Sequence, residues 1–242
     1  MIQARRETAP YRVPNWLPQD TEESIVGTEW HQEAAGALAD ALREAASRGR
    51  LSWGVCEEIA LEGLLYEDGR PYDPRPDVMV LAQPLPSGGL AAVSVAEVGA
   101  PLLIVEVASR STSANDIGEK RHAYAAIGVA EYMVFDPSGS LLPTSLPAWR
   151  LVSGVYVPWR PASDGWWRSE VLGVSFHPRP PHLEVRDREG ERVELSHEVR
   201  LRVRQLERQA AALERRLVDE ARRRADLEEE IRRLRAREEP DA

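Results

Sequence analysis

Lysine is almost missing from this sequence of 242 residues: of its 31 basic residues, thirty are arginine and one, Lys120, is lysine. Cysteine is equally scarce, with Cys56 alone, which excludes a disulfide framework and any multi-cysteine zinc site. No apolar run nears the ~18 residues that a membrane span needs; Pro101 to Val105 is among the longest. The opening stretch, MIQARRETAP, holds arginines with no apolar segment behind them, so no signal peptide is read. A positive excess is lacking too, since 40 acidic residues against 31 basic ones give a formal charge of −9. Proteins that coat DNA nonspecifically carry a basic footprint, so contact with nucleic acid should here be local or assisted by cations. The expectation is a soluble, cytoplasmic protein with no membrane partner.

What is present is enough to fold. Apolar residues make up 43% and charged residues 29%, which suits a globular chain. A domain occupies about 100–200 residues, so one domain with an appendage is expected. The lone lysine stands out against the arginine bias. Where only positive charge is needed, arginine serves. Where a compact ammonium is needed, a guanidinium cannot replace it. Lys120 is therefore a candidate functional group.

Three segments are expected along the chain. Residues 1–27 are proline-rich (Pro10, Pro14, Pro18) and read as an irregular arm. Residues 28–194 read as a domain, and 195–242 as a coiled coil. In the domain, Thr28 can cap a helix to about Ser47, with Trp30, Ala34, Leu38, Ala41, Leu42 and Ala45 at helical spacing. Strands are expected at Leu51 to Val55, Ile59 to Tyr66, Asp77 to Leu81 and Leu102 to Val107. A second helix should start near Ser113 or Asn115 and stop at Gly128. EYMVF (131–135) is a further strand, and Ser153-Gly154 and Asp164-Gly165 read as hairpin turns. This order gives an α/β (α+β) fold with one central mixed sheet flanked by helices.

The tail is different in kind. Val199, Leu206, Leu213, Leu227 and Leu234 share one heptad position, and Val203, Ala210, Leu217 and Ile231 fill the position four residues later. Glu220 and Arg224 interrupt that seam. Residues 195–242 hold 13 arginines and 12 acids, so the negative charge belongs to the body. The pattern suggests a homodimer through residues 199–234, or a helix folded onto its own domain.

Two carboxylates and the lysine carry the candidate chemistry. Glu106 falls near the end of PLLIVEVAS, a run apolar on both faces, where a charge needs a partner. Asp77 opens the strand PDVMVL behind Pro76, or serves as a turn aspartate. Acids at neighbouring strand ends can supply the oxygen ligands that Mg²⁺ prefers. In DIGEKRHAY, Asp116, Lys120 and Tyr124 share one helix face directly after the Glu106 strand. An ordinary Asp116–Lys120 helix pair is the alternative.

PDVMV followed by PLLIVEVASRSTSANDIGEKRHAYAAIGVAEYMVFDP resembles the Uma-two family of proposed restriction endonucleases, a branch of the PD-(D/E)XK nuclease superfamily. The likeness is ordered over residues 76–137 and weaker towards Trp30-His31-Gln32-Glu33 and the Trp-rich strands. It implies a restriction-endonuclease-like core and a metal-dependent endonuclease that hydrolyses DNA. It also implies that Asp77 and Glu106 are metal ligands and that Lys120 is the catalytic lysine; the chemistry of an oxygen-bound ion then adds the carbonyl of Val107 as a candidate ligand for Mg²⁺, with Mn²⁺ as a substitute. The superfamily places its lysine two residues after the glutamate; here that residue is Ala108, and the lysine sits on the helix. The alternative is a catalytically silent nuclease-fold module that binds DNA or assembles through its coiled coil.

Other residues carry less. Ser109, Ser111 and Ser113 could contact phosphate or cap the helix. His31 reads as structural, and His122, His177, His182 and His197 lack metal-ligand spacing. Trp149-Arg150, Trp159-Arg160 and Trp166-Trp167-Arg168 read as cross-strand packing ahead of a base-stacking surface.

Overall fold

The computed structural model describes residues 11–15, 29–85 and 90–195, with scattered positions between 198 and 224. Its chain divides into two compact units, residues 1–195 and 196–242.

Strand β1 (Tyr11–Val13) is followed by helix α1 (Glu29–Gly49) and by β2 (Gly54–Glu57), β3 (Ala60–Glu62), β4 (Leu64–Tyr66), β5 (Pro71–Tyr72) and β6 (Val78–Leu81). Strand β7 (Ala92–Ser94) leads into a single turn, α2 (Val95–Val98), and then into β8 (Leu103–Val107). One continuous helical segment comes next: α3 (Ser113–Asn115), a π-helical turn (Asp116–Lys120) and α4 (Arg121–Ile127). The remaining strands are β9 (Glu131–Phe135), β10 (Ala148–Val152), β11 (Val155–Pro158), β12 (Trp167–Arg168), β13 (Ser175–Arg179) and β14 (His182–Arg186).

The central sheet has six strands in the order β11-β10-β9-β8-β6-β2. Only β8 and β9 are parallel; the other pairs are antiparallel, so the sheet is mixed. A parallel pair needs a crossover, and the helical segment 113–127 supplies it. Strands β6, β8 and β9 are buried along their whole length, which is why they read as unbroken apolar runs.

Alternation divides each strand between two cores. Leu103, Val105, Val107, Met133 and Phe135 face the alanine-rich side of α1, where Ala34, Ala35, Leu38 and Leu42 are buried. Ile104, Tyr132 and Val134 face Ala123, Tyr124 and Ile127 of α4 together with Leu64 and Tyr66. Glu106, in phase with Ile104, is thereby directed to the α4 side. The helical segment stops at Gly128, whose φ of +93° closes it in a left-handed cap.

Several expectations are corrected. The single strand expected over 59–66 is two, because Gly63 at φ +89° breaks it; β3 then pairs with β7 and β4 with β1 and β5. Within the stretch read as an irregular arm, Tyr11–Val13 forms a strand, anchored by the buried Val13. The strand expected from Leu51 begins at Gly54 instead and runs to Glu57. Ser153-Gly154 makes the expected tight hairpin between β10 and β11. Asp164-Gly165 does form a turn, but β12 beyond it pairs with β13 and not with β11.

In the second unit the described positions are helical, and Val199, Val203, Leu206, Leu213 and Leu217 are exposed. Ala210, Leu227, Ile231 and Leu234 of the expected seam lie outside the described residues. No helix among the described residues is long and apolar enough to cross a membrane.

Candidate active site

At the carboxyl end of β8 the three expected residues converge. The β6–β8 register sets Val78 opposite Val105, so the next pair outward is Asp77 and Glu106. Asp77 ends the ladder with its side chain: Oδ2 accepts the Val107 N–H at 2.6 Å. It does not fold back as a turn aspartate. His31 of α1 also reaches this oxygen, with Nε2 at 3.1 Å.

Glu106 is buried, and Oε1 accepts the Tyr124 hydroxyl at 2.6 Å. Lys120 Nζ lies 3.3 Å from the same oxygen and 3.3 Å from Asp116 Oδ1. Helical spacing explains why Asp116, Lys120 and Tyr124 all face Glu106, four residues apart. This is more than a surface i,i+4 pair, since Asp116 is 1% exposed and Lys120 6%. Asp116 lies in the π-helical turn, and its backbone carbonyl accepts the Tyr132 hydroxyl at 2.7 Å. Tyr132 in turn packs edge-on to Tyr124 and stacks on Trp149.

The burial shows in the acid–base properties. Desolvation pushes the Asp116 carboxyl up from 3.8 to about 6; Lys120 and Thr112 offset it in part, and the charge of Asp77 adds to it. Neither Asp116 oxygen has a hydrogen bond of good geometry, so this carboxylate leans mainly on the charge of the ammonium. For His31, burial works against protonation, yet the hydrogen bond to Asp77 and its charge outweigh that and raise the pKa. Burial, with the charges of Glu106 and Asp116, raises the Tyr132 phenol well above its ordinary value.

Hard cations take oxygen donors, and Mg²⁺ is usually held by one or two carboxylates, with water and phosphate completing the shell. Asp77, Glu106 and the Val107 carbonyl form an all-oxygen set at neighbouring strand ends, which fits that pattern. No group of three or more His, Cys, Asp or Glu side chains among the described residues is arranged to hold a metal ion. The fit is thus to an ion shared with water and phosphate, not to an all-protein cage.

Two partners escaped the sequence reading. His31, read as structural, is on the Asp77 carboxylate; its place in the weakly matching Trp30-His31 segment was the available signal. Asp116, read as half of an ordinary helix pair, is a second buried acid beside Glu106. Among the weaker candidates, Ser109 Oγ accepts the Thr112 N–H at 3.2 Å, so it caps the turn into α3. His122 and His177 bind backbone carbonyls. The tryptophans pack as expected in part: Arg150 lies over Trp159 and Arg186 over Trp166.

The molecule is thus an α/β protein with an acid–lysine centre at the end of its central sheet. Residues 21–169 match the family model of Uma2, described as "Putative restriction endonuclease", and the chain belongs to that family. A crystal structure of a protein from Anabaena variabilis, titled a putative nuclease belonging to DUF820, is similar at 14% identity with a TM-score of 0.36. That likeness covers 67% of this chain and 69% of the other. No curated protein matches the chain.

Proposed function

We propose that this chain is a Mg²⁺-dependent endodeoxyribonuclease of the cytoplasm, working as a homodimer through residues 199–234. The observation that carries the reading is the meeting of Lys120 with Glu106 at 3.3 Å, on the strand whose next amide binds Asp77. A structural protein has no need to bury two carboxylates, Glu106 and Asp116, around its only lysine. Asp77, Glu106 and the Val107 carbonyl would hold the ion. When bound, Mg²⁺ supplies Lewis acidity at the phosphate and a more acidic water.

The chain's own groups do the rest. Lys120 presents N–H donors and no acceptor, so it orients an attacking water and offsets the charge that develops on phosphorus-bound oxygen. Tyr124 holds Glu106 Oε1 in place, and His31 holds Asp77 Oδ2. Water adds to phosphorus in line with the 3′-oxygen as the P–O3′ bond breaks; the leaving 3′-oxygen takes up a proton from solvent, and the products are a 5′-phosphate and a 3′-hydroxyl. The proton lost by the water passes to solvent. Two centres in a dimer address two strands.

A second reading has its own observation. The ammonium is engaged by two acids and no ready three-ligand metal cluster stands among the described residues, as suits a silent module that works through its coil. The test compares wild type, Lys120→Ala and Asp77→Ala on supercoiled plasmid with Mg²⁺, Mn²⁺ or EDTA. Metal-dependent nicking or linearisation, lost in both folded variants, is the expected result. No cleavage by any sample leaves the silent module.

A further inference from the structure

Next to the acid–lysine centre lies an open groove of about 650 Å³. Two segments tie it to that centre. One is the loop that leaves β8 just past Val107, carrying Ser109, Arg110 and Ser111; the other is Trp30, which precedes His31 on α1. Leu141 and Pro180 line the groove as well.

The groups in this groove differ in what they are free to bind. Ser109 is tied to Ser111 and Thr112, and Ser138 donates to Asp136, so these hydroxyls hold their own loops. Trp30 and Arg110 are uncommitted. Trp30 is 61% exposed, and no other aromatic side chain among the described residues is left mostly exposed. Trp159 and Trp166 show the contrast, since both are buried under arginines. Arg110 is exposed and makes no ion pair with a described residue, whereas Arg43, Arg48, Arg150 and Arg168 all do. An open indole face and an unpaired guanidinium are the two groups that nucleotide binding uses: the base stacks and the phosphate pairs.

From this arrangement we infer that the groove binds an unpaired nucleotide of the DNA strand held at the acid–lysine centre, its base on Trp30 and its phosphate on Arg110. The inference rests on the nuclease reading for the position of that strand, and it goes on to specify the substrate. Within a duplex both faces of a base are covered by neighbours, so an indole has nothing to stack on without unstacking the helix, which costs a few kcal/mol per step. Single-stranded or locally unpaired DNA offers the face at no such cost. The acidic body also favours this substrate. A flexible strand can meet one cation and one aromatic ring, whereas a long duplex calls for a broad basic surface, which a formal charge of −9 does not favour.

The full chain is titrated, with Ca²⁺ and separately with EDTA, against a fluorescein-labelled single strand and against the same sequence as a duplex. Wild type should bind the single strand more tightly. Trp30→Ala should weaken that binding about tenfold or more, the size of a lost base–aromatic stack, while changing duplex binding far less. Trp30→Phe should restore most of it. Arg110→Ala should weaken binding to both and lower the salt slope by about one. An unchanged melting temperature in each variant shows that the fold is intact, as the exposure of both side chains leads one to expect. If Trp30→Ala binds the single strand within about twofold of wild type, or wild type prefers the duplex, the inference is overturned. Cleavage reports on the enzyme separately. A wild type that never cuts yet binds through Trp30 retains the inference and loses the nuclease reading. One that cuts without any dependence on Trp30 does the reverse.

Discussion

Lys120 Nζ and Glu106 Oε1 are 3.3 Å apart in a place almost closed to water, and that same oxygen already takes the Tyr124 hydroxyl at 2.6 Å. Two charges withdrawn from solvent are held by each other's presence more than by any gain over an apolar pair. Asp116 adds a second acid at 3.3 Å from the ammonium. The centre is therefore easily upset by loss of its one cation.

Removing that cation should destabilise the fold as well as any activity. Lys120→Met keeps most of the volume but leaves Glu106 and Asp116 facing each other without compensation, at a cost of about 3–5 kcal/mol. Adding Asp116→Asn to Lys120→Met should recover part of the loss, because one buried charge has then gone. Urea denaturation of the three proteins measures this. A Lys120→Met stability within about 0.5 kcal/mol of wild type contradicts a centre held by the ammonium.

The raised pKa of Asp116 gives a dependence on pH with a definite sign. In the unfolded chain the carboxyl ionises near 3.8, and in the folded one near 6. Between those values the native state binds more protons than the unfolded one, so stability is favoured below pH 4 and falls as pH rises towards about 6. Asp116→Asn should abolish that part of the fall. The difference between the wild-type and variant urea midpoints, followed from pH 4 to pH 7, isolates it. Parallel profiles would mean that Asp116 is not perturbed.

The heptad pattern of the second unit makes a prediction about association. Leu206 and Leu213 share one seam position, and both are exposed in the single chain. Burying a leucine at such a seam contributes about 1.5–3 kcal/mol per side chain. Leu206→Glu with Leu213→Glu should turn a dimer into a monomer by sedimentation velocity. On plasmid, the product should shift from linear to nicked, since single centres then act one strand at a time. An unchanged sedimentation coefficient would place the contact elsewhere.

The elements that the sequence revealed are those with strong local signals. EYMVF and PLLIVEV are apolar on both faces, and both are central strands. The helical turns from Ser113 to Ile127 followed from spacing and from Gly128. The break at Gly63, the strand at Tyr11–Val13 and the pairing of β12 with β13 were not legible. Each depends on which distant strand is available, and short segments carry no record of that in their own pattern.

For the centre, composition and order already determined the essentials. A chain with one lysine, set four residues after Asp116 and four before Tyr124, must bring those three to one helix face, and the strand before that helix carries Glu106 one residue from its end. Only the tertiary structure decided what this face meets. It packs the segment against β8 so that a surface-type pair becomes a buried network. Through α1, it also brings His31 onto Asp77 from 46 positions away in sequence. Local geometry follows from backbone periodicity, which sequence spacing records. The meeting of separate elements follows from how two cores close on the two faces of one sheet, and that depends on the whole chain at once.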